Sequence, residues 1–475
     1  MSISSAISSA LLGLGFNALG AQIASGNIAN AQTDGYGRRE LVPMSQATRH
    51  GGILRDVDPV ILADRRAVDA EIGYSESLDA AITRLATLRS EGQEDRLITA
   101  LGAFQNALTI AAANPSADSR LVAIGSAAES LVGEINAQAS ALADLRQEAE
   151  SRIARDVHTL NSALAKIADL NTRVSRAQPG SEHLATLLDL RQKEVDAISA
   201  LVPVKLAERD RGVIALYTSA RAVLLDGRPA EIGFTETPTI APHMSLAGGL
   251  LSGLTLNGRN ISTGPGGPLS GGALAASFAL RDTHLPAHQA RLDALASELA
   301  SRFGPGGPDA TFAPGDPGLF TDLGGPASPA PQVGLSGRLR LNPLVSATST
   351  EPWRWRAGLM ATGPGEVGDA SLINALAARL DARSVPADPA LGAVSKDIAS
   401  LGLQLSSAID GERVGLSDKL ASVRGRHAVL REMELRRGVD SDQQLQTLLT
   451  IEKSYAANAK VLQTVDDMLL RILAI

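Results

Sequence analysis

The distribution of proline constrains this chain more than any other feature. Nineteen of its 23 prolines lie between residues 203 and 389, four lie before residue 203, and none follows residue 389. Because a proline inside a helix costs roughly 3 kcal/mol, long helices are favoured in the two proline-poor arms and disfavoured in the centre. The sequence therefore predicts a mainly α protein with a β-rich central domain, in which long helices come from both chain ends.

The arms carry aliphatic side chains at helical spacing. Residues 64–113 and 116–177 contain no proline, and each is predicted to form a long amphipathic helix. Pro115 and Pro179 interrupt the pattern, and residues 184–201 predict a further helix.

The proline-rich centre contains short segments that suit β-strands. Three of them are rich in aliphatic or β-branched residues: 213–218, 222–225 and 230–234. The pairs Asp226-Gly227 and Asn257-Gly258 are typical of tight hairpin turns. Residues 273–303 predict a mostly helical insertion between two Gly/Pro-rich loops, despite Pro286.

These patterns predict three domains, each built from separate stretches of chain. They are a terminal coiled-coil-like polymerisation domain (1–60 with 440–475), a long-helix bundle (61–202 with 365–439, on which the helix at 273–303 packs) and a β-rich outer domain (203–272 with 304–364).

Charge and composition exclude several classes of function. The formal net charge of -7 offers no basic surface for nucleic acid, and the absence of cysteine excludes disulfides, thiolate catalysis and Cys-ligated zinc. The first basic residue is Arg38, so a cleaved secretory signal is not expected. No stretch approaches the roughly 18 to 20 apolar residues of a membrane span, so we expect no membrane insertion.

Two motifs imitate catalytic or cofactor sites. Gly13-Leu-Gly15-Phe-Asn-Ala18 resembles a dinucleotide-binding fingerprint, but no strand precedes it, which favours glycines in a packed helix. His284 and His288 stand four apart in His-Leu-Pro-Ala-His, which lacks the glutamate of a zinc motif. We therefore expect no enzyme activity, cofactor or metal, and a nucleotide-dependent oxidoreductase stays an alternative.

Basic residues recur from Arg424 to Arg437, interleaved with Glu432 and Glu434. This stretch favours a solvated helix face or an ion-pair strip between subunits over an anion-binding site.

Both chain ends carry a seven-residue repeat, which is typical of a coiled-coil seam. The N-terminal stripe comprises Ile7, Leu14, Ala21 and Ile28, alternating with Ile3, Ala10, Asn17 and Ala24. The C-terminal stripe comprises Leu448, Tyr455, Leu462 and Leu469, alternating with Ile451, Asn458, Val465 and Ile472. Such stripes pack either inside one chain or between copies. Because four interior glycines each cost roughly 1 kcal/mol, we expect the first helix to order only on assembly.

The segment from Ser25 to Arg39 resembles the N-terminal signature of the flagellar rod, hook and hook-associated protein family. It supplies Asn27, Asn30, Gly35 and Tyr36, with Gly26 where the family usually has asparagine. Asn27 and Asn30 can bond backbone groups where the helix ends, and Gly35 permits the chain to reverse. The C-terminus is similar to the same family through Gly438-Val-Asp440, Tyr455–Lys460 and Thr464–Met468.

Three central segments resemble the hook-associated branch of that family, rather than the hook proteins, which stay an alternative. They are 114–120, Leu187-Leu-Asp-Leu-Arg-Gln192 followed by Leu201-Val202, and Gly271–Leu274 at the start of a long helix. A free coiled-coil adaptor is a further alternative.

The resemblance implies a function in assembly. It implies export through the flagellar type III apparatus and self-assembly into a ring or short helical tube between hook and filament. Implied partners are hook protein, a second junction protein, flagellin, the filament cap, and an export chaperone near residues 445–472. The residues expected to pack between subunits are Ile3, Ile7, Leu14, Ala21, Asn27, Ile28, Asn30, Gly35, Tyr36, Leu448, Ile451, Tyr455, Asn458, Leu462, Val465, Leu469 and Ile472.

Overall fold

The computed structural model describes residues 3–42, 52–91, 94–328 and 332–473. Long helices occupy both arms of this part of the chain. Its α-helices are α1 (Ile3–Asn30), α2 (Pro59–Arg89), α3 (Arg96–Ala113), α4 (Asp118–Arg176), α5 (Glu182–Ser199), α6 (Gly272–Ala279), α7 (Leu285–Arg302), α8 (Leu335–Arg338), α9 (Arg354–Ala357), α10 (Ser371–Asp381), α11 (Ile398–Arg437) and α12 (Ser441–Leu473).

Short antiparallel strands are concentrated in the centre. The strands are β1 (Arg38–Val42), β2 (Gly52–Asp56), β3 (Ser90–Glu91), β4 (Glu94–Asp95), β5 (Val204–Glu208), β6 (Ile214–Thr218), β7 (Val223–Asp226), β8 (Arg228–Pro229), β9 (Ile232–Gly233), β10 (Leu254–Leu256), β11 (Arg259–Ile261), β12 (Phe320–Asp322) and β13 (Leu339–Leu341). The fold is mainly α with a β-rich centre, which confirms the predicted fold class.

The longest helix, α4, has 59 residues, close to the predicted 116–177. Its buried side chains recur every three or four residues, as at Leu160, Leu164 and Ile167. At 1.5 Å per residue it extends for about 88 Å, long enough to contribute to two separate parts of the core.

The predicted single helix over 64–113 is wrong, because the chain forms two helices there. The first, α2, begins earlier, at Pro59, where the Asp58 side chain accepts hydrogen bonds from the first-turn N–H groups. The second, α3, begins after Asp95, whose carboxylate accepts from the N–H groups of Leu97 and Ile98. The first helix thus ends at Arg89, and the capping aspartate Asp95 starts the second.

The helical insertion at 273–303 is confirmed, with one irregularity. Helices α6 and α7 are joined by a π-helical turn over Leu280–His284. Pro286 is the second residue of α7, directly after this turn, and its missing N–H group coincides with the irregularity.

The central strands form a four-stranded sheet, in the order β5-β6-β7-β8, and a three-stranded sheet, in the order β11-β10-β9. Asn257 and Gly258 connect β10 to β11 with φ of 51° and 76°, the backbone of a type I′ turn. Gly227 connects β7 to β8 with φ of 75°. The hairpin at Asn257-Gly258 and the turn at Gly227 are therefore confirmed, but the predicted strand 230–234 pairs with β10 and not with β7.

Two large apolar clusters form the core. The first, which we call the helical body, joins α2, α3, the first half of α4, α7, α10 and α11. Phe104 lies at its centre, edge-to-face with Phe303, Phe320 and Trp355. The second, which we call the outer module, joins the second half of α4 with α5, α6 and the central strands, and includes Leu216 and Phe278.

The chain between 304 and 364 packs differently from the predicted grouping. Phe320, Leu339 and Trp355 are buried in the helical body, whereas the strands of 203–272 belong to the outer module. The segment returns to the long helices because its few large apolar side chains fill the gap beside Phe104. Proline density indicated irregular backbone correctly but not the surface on which that backbone packs.

The basic stretch of α11 makes ion pairs with α2 of the same chain. Arg424 pairs with Glu76, and Arg426 pairs with Glu71. Both arginines are exposed, as predicted for a solvated helix face, and their ion-pair partners lie in the same chain. Both pairs are exposed and contribute at most about 1 kcal/mol each.

Helix α1 is more apolar than the sequence analysis expected. Over Ser4–Asn30 it reaches the length and composition of a membrane span, with a mean hydropathy of 1.4 in its most apolar window. It carries no charged residue. The expectation that no stretch approaches a span was wrong in this respect.

Candidate assembly site at the paired chain ends

The two chain ends form an antiparallel pair of helices, α1 and α12, within one chain. Their contacts recur every seven residues. A Cβ atom at Gly13 would lie 2.6 Å from Asn458 Nδ2, and one at Gly20 would lie 3.1 Å from Ile451 Cδ1. One heptad further, Asn27 bonds Gln444. Glycine at two of these three levels lets the helix axes approach closely.

The structure brings most of the predicted packing residues to this pair. On α1, Asn27 is buried, and Ile7, Leu14, Ala21 and Ile28 are half-buried. On α12, Val465 is buried, and Leu448, Ile451, Asn458 and Leu462 are half-buried. The side chains of Ile3 and Ile472 lie outside the described residues.

The pair leaves large apolar side chains in contact with solvent. On α1, Leu12 is 76% exposed and Phe16 is 44% exposed. On α12, Leu449 is 58%, Tyr455 49% and Leu469 36% exposed. Large apolar side chains left exposed on a helix pair favour an interaction with another molecule.

A groove of about 620 Å³ runs between the two helices. Asn17, Ala18 and Ala21 line it from α1, and Leu449 and Tyr455 line it from α12. The Nδ2 atom of Asn17 is buried and has no hydrogen-bond acceptor within the described residues. A buried amide without an acceptor costs free energy, which an oxygen supplied by another molecule would recover.

The amide of Asn27, in the segment Ser25–Arg39, makes hydrogen bonds at the C-terminal end of α1. Its Nδ2 donates to the Arg39 carbonyl oxygen at 2.8 Å and to Gln444 Oε1 at 3.0 Å. Its Oδ1 accepts from the Arg39 N–H group at 3.0 Å and from the Tyr36 hydroxyl at 2.8 Å. The amide therefore makes its full set of four hydrogen bonds, joining α1, the following loop and α12.

The remaining signature residues shape the loop. Asn30 Nδ2 donates to the Gly26 carbonyl oxygen at 2.9 Å, and Gly35 adopts φ of 81°, as the predicted chain reversal requires. Burial raises the pKa of Tyr36, opposed by the nearby Arg39 charge, so its hydroxyl stays protonated and donates to Asn27.

Two arginines, Arg39 at the end of the signature and Arg55 on β2, connect this region to α5. Arg55 Nε donates to Asp189 Oδ1 at 2.6 Å, and Arg39 Nη2 donates to Asp189 Oδ2 at 3.3 Å. The Gly37 N–H group also donates to Asp189 Oδ1, at 2.9 Å. A Cβ atom at Gly37 would lie 2.6 Å from Arg55 Nε, so glycine there leaves room for the guanidinium.

Sequence reasoning missed several residues of this site. Gly13 was predicted to lie in a packed helix and both Gly13 and Gly20 to weaken it, but their seven-residue spacing with Asn27, which marks a contact line, was missed. Gln444 belongs to the line of Ile451 and Asn458 one heptad earlier. No sequence signal joins Arg55 to Asp189, because they lie 134 positions apart.

Nothing in the described part of the chain resembles a metal centre. No group of three or more His, Asp or Glu side chains there is placed to hold a metal ion. The fingerprint-like glycines lie inside α1 and form no phosphate-binding loop.

Comparison with protein families gives two matches. The model of the flagellar hook-associated protein FlgK helical domain matches residues 82–305. The model of the flagellar basal body rod FlgEFG protein C-terminal region matches residues 436–475. Together they match more than half of the chain.

Comparison with individual proteins gives two further similarities. The chain is 21% identical over 352 residues to flagellar hook-associated protein 1 of Bacillus subtilis (strain 168), covering 66% of this chain and 69% of that protein. It is also similar to the solved structure of the flagellar hook junction protein FlgK from Burkholderia pseudomallei, at 21% identity and a TM-score of 0.44. That superposition covers 55% of this chain and 46% of that chain.

Proposed function

Since this chain belongs to the flagellar hook-associated protein family, a family of structural proteins and not of enzymes, we propose that it forms the junction between hook and filament. The observation that carries this proposal is the pair α1–α12, which leaves large apolar side chains uncovered on both helices. A subunit that packs these faces against its neighbours would gain about 25 cal/mol of stabilising free energy for each Å² of apolar surface that it buries.

In this proposal, copies of the chain contact one another through the terminal pair and form a ring or short helical tube. One face of the pair meets a different face of the next copy, which is the arrangement that generates rings and tubes. The packing residues predicted from the sequence would act here. Hook protein would contact one end of the tube, and the second junction protein, the filament cap and flagellin the other.

The proposal also includes the route to this location. The chain would leave the cell through the flagellar export apparatus without a cleaved signal, with a chaperone on the apolar face of α12. Membrane insertion is not proposed, although α1 is apolar enough for a span. Its partner α12 carries Lys460, Asp466 and Asp467, which would have to enter the bilayer with it.

Immunogold labelling of isolated flagella tests the proposal directly. We expect label in a narrow band at the distal end of the hook. Deletion of the gene should leave hooks without stable filaments and flagellin in the medium. Label along the whole hook, or loss of hooks on deletion, would support the hook-protein alternative, and absence from flagella would support a free adaptor.

A further inference from the structure

One central sequence motif lies at the joint between the terminal pair and the rest of the molecule. The segment Leu187-Leu-Asp-Leu-Arg-Gln192 forms the middle of α5. Asp189 and Gln192 are three residues apart and so share one face of that helix. Both accept hydrogen bonds from the guanidinium of Arg55.

Asp189 accepts hydrogen bonds from three donors on the loop after α1 and on the β1–β2 hairpin that follows it. They are the Gly37 N–H group and the side chains of Arg39 and Arg55. The side chain of Asp189 is 15% exposed and that of Arg55 is 9% exposed, so little water competes for these bonds. Charge-assisted bonds in such surroundings are short and directional.

The loop in turn holds the terminal pair. Asn27 on α1 bonds the backbone of Arg39 and the side chain of Gln444 on α12. A continuous series of hydrogen bonds therefore runs from α12 through Asn27 and Arg39 to Asp189 on α5.

Apolar packing at this joint is small by comparison. The cluster between α1, the β1–β2 hairpin and α5 has three buried residues, Ile23, Ile53 and Ala185. A cluster of that size resists separation but does little to fix an angle, because apolar contacts are not directional. Orientation at the joint therefore depends on the polar contacts.

We propose that Asp189 is the positioning residue that fixes the terminal pair α1–α12 relative to the outer module, to which α5 belongs. Its carboxylate holds the Gly37 amide and two guanidiniums at one point on α5. Loss of that carboxylate would leave both parts folded and free the angle between them. The inference concerns contacts within one chain, so it can fail while the junction role stands, and the reverse.

The absence of cysteine makes a direct distance measurement possible. Spin labels are attached at Ser454→Cys on α12 and Thr159→Cys on α4, two exposed positions in the full-length chain. The distribution of distances between the labels is measured by pulsed electron paramagnetic resonance in three backgrounds: unchanged, Asp189→Ala and Asp169→Asn. Asp169 is an exposed aspartate on α4 and serves as the matched control.

We expect a narrow distribution in the unchanged and Asp169→Asn chains and a broad one in Asp189→Ala, with equal helical circular dichroism. Hydrogen exchange at the Gly37 amide should become about ten- to a hundredfold faster in Asp189→Ala, because that amide loses its charged acceptor. If Asp189→Ala does not fold, the same distance distribution is measured in Asp189→Asn, which keeps the side-chain shape and one oxygen acceptor but loses the charge. A distribution as narrow as that of the control would overturn the inference.

Discussion

Asp156 lies half-buried on α4, and its Oδ2 atom has no hydrogen-bond donor within the described part of the chain. Burial raises the pKa of this carboxyl to about 6, although the charges of Arg152 and Arg155 act to lower it. The folded chain therefore holds the proton more tightly than the unfolded chain does. Stability from this group is present at low pH and is lost as the pH rises through about 6.

Replacing Asp156 with asparagine should remove that loss. We expect Asp156→Asn to raise the free energy of unfolding by roughly 1 kcal/mol at pH 8, after allowance for solvent screening, and to leave it nearly unchanged at pH 4. Urea unfolding at the two pH values measures the difference. Asp169→Asn, at an exposed site on the same helix, should show no such pH dependence, and an equal effect of both variants would refute the explanation.

Glu412 on α11 joins two histidines on the segment around the π turn. Its Oε1 lies 2.5 Å from His284 Nδ1, and its Oε2 lies 2.8 Å from His288 Nε2. Burial acts to raise the pKa of Glu412, but the hydrogen bonds and charges of the two histidines outweigh it and lower the pKa to about 2. The two histidines and Glu412 thus hold α11 against the segment around the π turn.

The contribution of Glu412 to stability has the opposite pH dependence to that of Asp156. Because the pKa of Glu412 is depressed on folding, its contribution is present above about 4.5 and is lost as the pH falls towards 2. We expect Glu412→Gln to destabilise the chain by roughly 1 to 2 kcal/mol at pH 7, with screening considered, and by less at pH 3. Thermal unfolding measures both, and a cost that does not shrink in acid would contradict this assignment.

Helix α2 approaches the end of α5 and the start of α6 closely at Gly73. A Cβ atom there would lie 2.2 Å from the Ala200 carbonyl oxygen and 3.3 Å from the Ala273 backbone nitrogen. Both neighbours are backbone atoms, which cannot turn aside as a flexible side chain can. The contact between α2, the end of α5 and the start of α6 therefore requires glycine.

Two glycine-to-alanine changes separate packing from helix propensity. We expect Gly73→Ala to lower the free energy of unfolding by about 2 to 3 kcal/mol, because the helices must move apart. Gly102→Ala, inside α3 with open space around its Cβ position, should raise it by up to about 1 kcal/mol. Urea unfolding measures both, and a stabilising Gly73→Ala would show that the close approach is absent.

The sequence predicted elements better than contacts. Periodicity and capping information is local, so α4, α5 and the hairpin at Asn257-Gly258 were found close to their true bounds. The break between α2 and α3 was missed although residues 89–96 are all polar or glycine and Asp95 is a recognisable cap.

At the candidate site, the heptads predicted which helix faces are apolar but not which partner covers them. That choice depends on distances between chain ends more than 400 residues apart, as at Asn27 and Gln444. The role of Asp189 is of the same kind, because its donors come from a distant loop. Residue type and spacing carry no information about such encounters until the fold brings them together.

For the whole molecule, the position of the uncovered faces limits how copies can meet. Leu12 and Phe16 share a face of α1 with Leu19, which contacts the cluster at the β1–β2 hairpin. The groove lined by Ala18 and Leu449 opens on a different side of the pair. The exposed side chains of Leu12 and Phe16 form what we call the ridge. A ridge on one side of the pair and a groove on another favour contacts in which each copy uses two different surfaces.

This arrangement predicts a specific contact between neighbouring copies in assembled flagella. A chain carrying Phe16→Cys and Leu449→Cys should form a series of covalent oligomers on mild oxidation, because the ridge of one copy would lie in the groove of the next. Phe16→Cys with Ser454→Cys is the control, since Ser454 is exposed on α12 outside the groove. Electrophoresis of purified flagella without reductant provides the measurement. If the chain is present in flagella and both pairs stay monomeric, copies meet through other surfaces of the terminal pair, and the ridge-and-groove contact is wrong even though the location is right.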